Sequence, residues 1–249
     1  MKRSIVPVIV VFLAATLLVG NAMGQVLTVK KPVLVKPLFV NGEVSVILGS
    51  HGPIISPYFN IRIGTKPARD LIVMLNGHRL RETMPGQYAG ISITSITPAP
   101  GGTLTFTVEK KKKLTPGTVG LKPARIQGTA VIGSLITITN PAEKSEWTSK
   151  TIGKSLAITW TGGKPVFSAA LVKTTGGSPL ELFSRNGLLM RSCPVPGTLM
   201  APGNTYSAVV SCNMGNFVLS KIGSMPGITL DKSSRVSLRH SALNRFVVR

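Results

Sequence analysis

The feature that most constrains the fold is an apolar residue at every second position, repeated in short runs along the chain. Phe59, Ile61 and Ile63 alternate with Asn60 and Arg62, Leu104, Phe106 and Val108 with Thr105 and Thr107, and Leu156, Ile158 and Trp160 with Ala157 and Thr159. That period belongs to strands with one buried face. The runs are separated by turn residues: 26 Gly and 18 Pro occur in 249 residues, while aromatics make only 5%. No long helical period occurs outside residues 5–19. The chain is therefore expected to be all-β with many turns.

The N-terminus sets the compartment. Met1, Lys2 and Arg3 are followed by an almost wholly apolar stretch, 5–19, and by Ala22-Met23-Gly24. A basic start, a short apolar run and small residues at the cleavage positions describe a signal peptide, so residues 1–24 are expected to be removed, leaving Gln25 first. The run is too short for a comfortable membrane span, and no later stretch reaches the roughly 20 apolar residues of a transmembrane helix. Export to the periplasm, the cell surface or the medium is expected, with no integral span after cleavage.

In an oxidising compartment two cysteines and no others imply one intramolecular bridge. Cys193 and Cys212 are therefore expected to be joined, which in the chain-entropy model contributes about 3 kcal/mol. Zinc needs three or four ligands at short spacing, and His51, His78 and His240 are far from both cysteines in sequence; neither a metal nor any other cofactor is expected.

A first domain is expected over residues 25–109. Its opening run, 33–40, carries Pro37, and because proline cannot donate to a ladder this reads as an edge strand. Strands follow at 43–48, 58–63 and 70–75; Asn76-Gly77 then marks a tight hairpin returning at 78–82, and 88–96 and 103–108 complete the set. Seven short strands in this length resemble an immunoglobulin-type sandwich. Glu109, Lys110, Lys111, Lys112 and Lys113 then lead to Thr115-Pro116-Gly117, so 110–129 is expected to be a basic Pro/Gly linker. Its lysines are either a solvated run or a docking patch for an anion.

The second domain is expected over 130–239. Its opening reads Pro141, Trp147, Gly153 and Ile158-Thr159-Trp160. This combination is similar to secreted immunoglobulin-like modules related to fungal cell-wall glucan-assembly proteins, also found as repeats in bacterial surface proteins. The resemblance implies an immunoglobulin-like β-sandwich for this half, so that the chain is expected to hold two such sandwiches in tandem. Tyr206 follows the turn Pro202-Gly203-Asn204, and its spacing from Leu199 and Met200 resembles a tyrosine corner, in which the phenol bonds upstream backbone. Trp160 belongs to the buried face; Trp147, in a more polar stretch, either packs or stacks on a sugar ring.

Motifs for catalysis are missing. Gly153-Lys154-Ser155 ends like a phosphate loop but leads into a strand where a helix is needed. No G-x-S-x-G elbow occurs. Of the eight carboxylates only Glu143 and Glu146 are near neighbours, and a glycosidase needs two facing one bond. An enzyme is not expected.

Charge is the functional clue. Twenty-nine Lys and Arg stand against eight Asp and Glu, a formal +21. Such a surface attracts polyanions, and an exported protein meets acidic polysaccharide, lipid headgroups, teichoic acid or lipopolysaccharide, and DNA. No aromatic-rich basic motif of a nucleic-acid module is present. The expected partner is an anionic envelope or surface polymer; the alternative is another protein, held by strand addition at the edge strand 33–40. Residues 233–238 alternate as a closing strand, and 240–249 are expected to form a basic tail; Arg245 and Arg249 within it, with Arg239 just before it, either attract anions or fray. Truncation after Arg239 is expected to spare the fold.

Overall fold

The computed structural model describes residues 35–49, 52–90, 93, 94, 96–110, 124–223 and 228–249. The expected signal peptide, 1–24, lies outside these, as do Lys111, Lys112 and Lys113. The first half of the chain forms β1 (Lys36–Gly49), β2 (Gly52–Ile63), β3 (Lys66–Pro67), β4 (Leu71–Leu75), β5 (His78–Arg79), β6 (Arg81–Met84), β7 (Gln87–Ala89), β8 (Thr103–Lys110) and β9 (Arg125–Val131). The second half forms β10 (Thr137–Asn140), β11 (Ser145–Trp147), the single-turn helix α1 (Ser149–Ile152), β12 (Ser155–Thr161), β13 (Phe167–Lys173), β14 (Leu180–Leu188) and β15 (Ser192–Pro196). It ends with β16 (Asn204–Asn216), β17 (Val218–Ile222), β18 (Ile228–Leu230) and β19 (Arg235–Val248). The chain is all-β, as the alternation predicts.

These strands form a long sheet in the order β14-β13-β16-β19-β1-β2-β7-β6, a three-stranded sheet β10-β12-β15, and a five-stranded sheet β17-β9-β8-β4-β5. The short sheets cover different parts of one face of the long one. Trp160 of β12 meets Phe167 of β13 edge to face at 5.3 Å, and Phe59 of β2 lies 4.8 Å from Phe106 of β8. Phe217, which precedes β17, reaches the same ring at 5.3 Å. Phe106 also explains Gly128 across the ladder on β9, where any Cβ would run into the phenyl ring.

Local signals held where turn chemistry was strong. Asn76 and Gly77 adopt positive φ (44° and 82°) between Leu75 and His78, the geometry of a primed hairpin turn. The Tyr206 hydroxyl accepts from the Ala201 N–H at 2.7 Å and donates to the Ala201 carbonyl at 3.2 Å, so the phenol does bond upstream backbone. Trp160 is 2% exposed, in the core as expected.

Long-range pairing departs from the expectation of two successive sandwiches. β9, inside the expected linker, pairs with β8; β17 and β18, late in the chain, pair with β9 and β1. The two halves are laced through shared sheets, and residues 33–249 pack as one unit. The expected edge strand is central: β1 lies between β2 and the pair β18 and β19. Pro37 is tolerated there because it lies one residue outside the β1–β2 ladder, which begins at Leu38 and Ile63; it is level with Thr229 of β18, and its carbonyl accepts the Gly64 N–H at 2.8 Å. The break before β19 is bridged by one side chain and one backbone bond: Ser234 Oγ accepts from the Val40 N–H at 3.0 Å, and the Asp231 backbone N–H donates to the Leu38 carbonyl at 2.9 Å.

The expected tail is likewise a strand. β19 continues to Val248, antiparallel to β16 from Ser237 to Val248, with His240, Ala242, Phe246 and Val248 buried. Truncation after Arg239 would therefore remove most of a central strand.

The expected disulfide is absent: Cys193 and Cys212 are both free thiols and both buried. They sit on different sheets. Cys212 is level with Phe167, whose ring meets Trp160. Cys193 lies opposite Ile158, one inward step along β12 from Trp160, or about 6.6 Å. Apolar surroundings push both thiols above their ordinary pKa, through desolvation first, which disfavours the reactive thiolate.

Candidate functional site

The five strands β13, β16, β19, β1 and β2 turn one face to the core and leave the other uncovered by either short sheet. Their inward positions hold Leu171, Val210, Leu238, Val44 and Phe59, all essentially unexposed. Because side chains alternate strictly, the intervening residues share the outer face, and the register aligns them in rows across the strands. One row runs Asn213, Arg239, Ser45, Ser56; the next Asn216, Ser237, Glu43, Tyr58; a third Arg235, Asn41, Asn60, Gln87. Phe39 and Arg62 close the far end.

This face is rich in hydroxyls, amides and guanidinium groups. Arg62, Arg235, Arg239 and Arg245 point outward and are exposed, against one carboxylate, Glu43, on the same five strands. The groups are held by neighbours. Arg239 Nη2 donates to Ser211 Oγ at 3.0 Å, Arg235 Nε to Asn216 Oδ1 at 3.3 Å, and Ser45 Oγ to Glu43 Oε1 at 2.7 Å. Asn41 Oδ1 accepts the Arg235 N–H at 3.1 Å and so fastens β1 to β19.

Two shallow recesses lie on this face. One, of about 320 Å³, is bounded by Phe39, Asn41, Asn60, Arg62, Gly64 and Thr65. The other, of about 220 Å³, includes Glu43, Ser168, Ser211, Asn213, Ser237 and Arg239. Between them stands Tyr58, 44% exposed, the cross-strand neighbour of Glu43.

The residues singled out from the sequence are scattered. Arg239 lies on the outer face. Arg245 shares that face further along β19, where its backbone N–H donates to Glu143 Oε2. Arg249 is paired with Glu146 at 2.6 Å. Lys110 is exposed at the end of β8. Trp147 is half-buried against the core, and its indole N–H donates to Ser145 Oγ at 2.9 Å.

Among the described residues no three His, Cys, Asp or Glu side chains come together to hold a metal. The adjacent carboxylates Glu143 and Glu146 serve Arg245 backbone and Arg249 respectively. His240 faces the core, where its Nδ1 accepts the Ile136 N–H at 2.9 Å; burial holds its pKa down to about 4, so it adds no charge to the surface at neutral pH.

Sequence reasoning identified the outward residues Asn60, Arg62, Arg235, Ser237 and Arg239 strand by strand but missed that they share one surface. The parallel pairing of β1 with β19, which joins residues 194 apart, brings them together. The chain matches no known family model, and no curated protein matches it in sequence.

Proposed function

We propose that this is a non-catalytic exported protein of the cell envelope or surface that binds or scaffolds an anionic surface polymer. One observation carries the reading: all described Lys and Arg side chains except Arg125 and Lys173 are exposed, while only Arg249 has a carboxylate partner. A surface of unpaired cations attracts polyanions over roughly a Debye length, about 8 Å at physiological salt. The arginines of the outer face add the fork geometry that suits carboxylate or phosphate.

Export rests on the first 24 residues and fits a small, turn-rich β chain. An immunoglobulin-like reading of the second half is supported by its facing sheets, β10-β12-β15 against β14-β13-β16-β19, by the buried Trp160 and by the Tyr206 bond to Ala201. In the alternative, the partner is a protein taken up by strand addition. Strand β1 is already paired on both sides, so this would use the exposed β14, which borders the long sheet and is followed by Leu189 and Met190 at 72% and 74% exposure.

The test is retention on envelope material at low and high ionic strength. Binding that disappears in high salt supports polymer attraction. Salt-resistant association, or none, defeats it, and a salt-resistant complex with a protein favours the alternative. N-terminal sequencing of the exported protein is expected to begin at Gln25.

A further inference from the structure

We propose, resting on the polymer-binding reading, that the ligand is an acidic polysaccharide laid along the outer face of β19, β1 and β2. Tyr58 lies under a sugar ring, and Arg62, Arg235 and Arg239 take its carboxylates.

Four observations carry this. First, the face is open, with two shallow recesses on either side of Tyr58. That shape suits an extended chain better than a compact ligand. Second, the guanidinium groups are far apart. Arg239 and Arg62 are two strands and three two-residue steps from each other, roughly 20 Å, so a ligand touching both must be a polymer carrying repeated charge.

Third, the space between the cations is filled by Asn41, Asn60, Ser45, Ser56 and Ser237. Hydroxyls donate and accept, as do side-chain amides, which matches the hydroxyls of a sugar in both roles, whereas a polyphosphate only accepts and leaves the acceptors on this face unused. Fourth, the exposed aromatic ring is single and central. A sugar has an apolar C–H face that can lie on Tyr58, whereas single-stranded nucleic acid stacks successive bases on several rings. A membrane surface favours an apolar fringe, and among the described residues of β19, β1 and β2 the one exposed large apolar side chain is Tyr58. Glu43 fits the same picture as an acceptor for a sugar hydroxyl, and as a charge that weakens indiscriminate anion binding.

The experiment is calorimetric titration of the purified chain with polygalacturonate as the acidic polysaccharide, galacturonic acid as its monomer, polyphosphate as a polyanion without rings, and pullulan as a neutral glycan. The variants are Tyr58→Ala, Arg62→Gln and, away from the face, Lys154→Gln, each checked for an unchanged thermal transition. The expected result is saturable binding of polygalacturonate, weakened at least tenfold by Tyr58→Ala and by Arg62→Gln. Lys154→Gln should change it less than twofold, the monomer and pullulan should bind negligibly, and polyphosphate binding should be indifferent to Tyr58→Ala. Equal binding of every polyanion, insensitive to Tyr58→Ala, overturns the inference and leaves the charge-driven reading standing. Failure to bind any polyanion overturns both.

Discussion

Acid should weaken this protein through His240. The imidazole is unexposed on β19, flanked in register by Val46 of β1 and Cys212 of β16. Its Nδ1 is occupied by the Ile136 N–H and its Nε2 has no partner. Desolvation lowers its pKa from 6.5 to about 4. In the unfolded chain it takes up a proton below about pH 6.5, while in the folded chain it stays neutral until about pH 4. Between those values the unfolded state binds the extra proton. The stability from neutral burial is therefore complete above pH 6.5 and is lost as pH falls towards 4, by about 3 kcal/mol in all. That is a large part of a typical stability of about 5–15 kcal/mol. Carboxylates also contribute to acid unfolding, so the assay must be differential. Urea unfolding is measured at pH 7.5 and 4.5 for the natural chain and for His240→Asn, whose amide oxygen can accept the Ile136 N–H without titrating. The natural chain should lose about 2–3 kcal/mol more than the variant over this interval. Equal losses would refute the argument, because they would mean that the imidazole is solvated or already charged in the folded protein.

Truncation after Arg239 removes the inward Phe246 and Val248, each contributing about 1.5–3 kcal/mol of burial, together with most of the β16–β19 ladder; circular dichroism should show no cooperative melt. Gly128→Ala forces a methyl into the Phe106 ring and should cost about 1–3 kcal/mol, and in urea unfolding the double variant with Phe106→Leu should lose less than the sum of the single changes. With both cysteines free and buried, a thiol reagent should find no reactive group in the native protein and two in denaturant without reductant, and reductant should leave the melting temperature unchanged.

How far the sequence could be read follows from the range of each interaction. Period-two runs and the Asn76-Gly77 turn are local, so β2, β8, β12, β13 and the hairpin were legible within a few residues. The Tyr206 bond was legible because it spans five residues. Pairings across long separations were not. Pro37 argued for an edge, and only the β1–β2 register, which begins one residue later at Leu38, explains how a proline sits at the start of a central strand. The final strand was partly visible: the inward parity of Val236 and Leu238 continues through His240, Ala242, Phe246 and Val248, but Asn244 interrupts the apolar series. The cysteines misled because their number and the expected compartment say nothing about which sheet each strand joins. The outer face was legible only as separate stripes, since each stripe belongs to a different strand and the register that aligns them is set by the β1–β19 pairing.

The most direct test of the central claim is a nuclear magnetic resonance titration of the labelled protein with oligogalacturonate at low salt. The account predicts shift changes concentrated on Asn41, Tyr58, Asn60, Arg62, Arg235 and Arg239, fading as salt is raised. Changes centred on another surface, or spread evenly over every exposed cation, would contradict it.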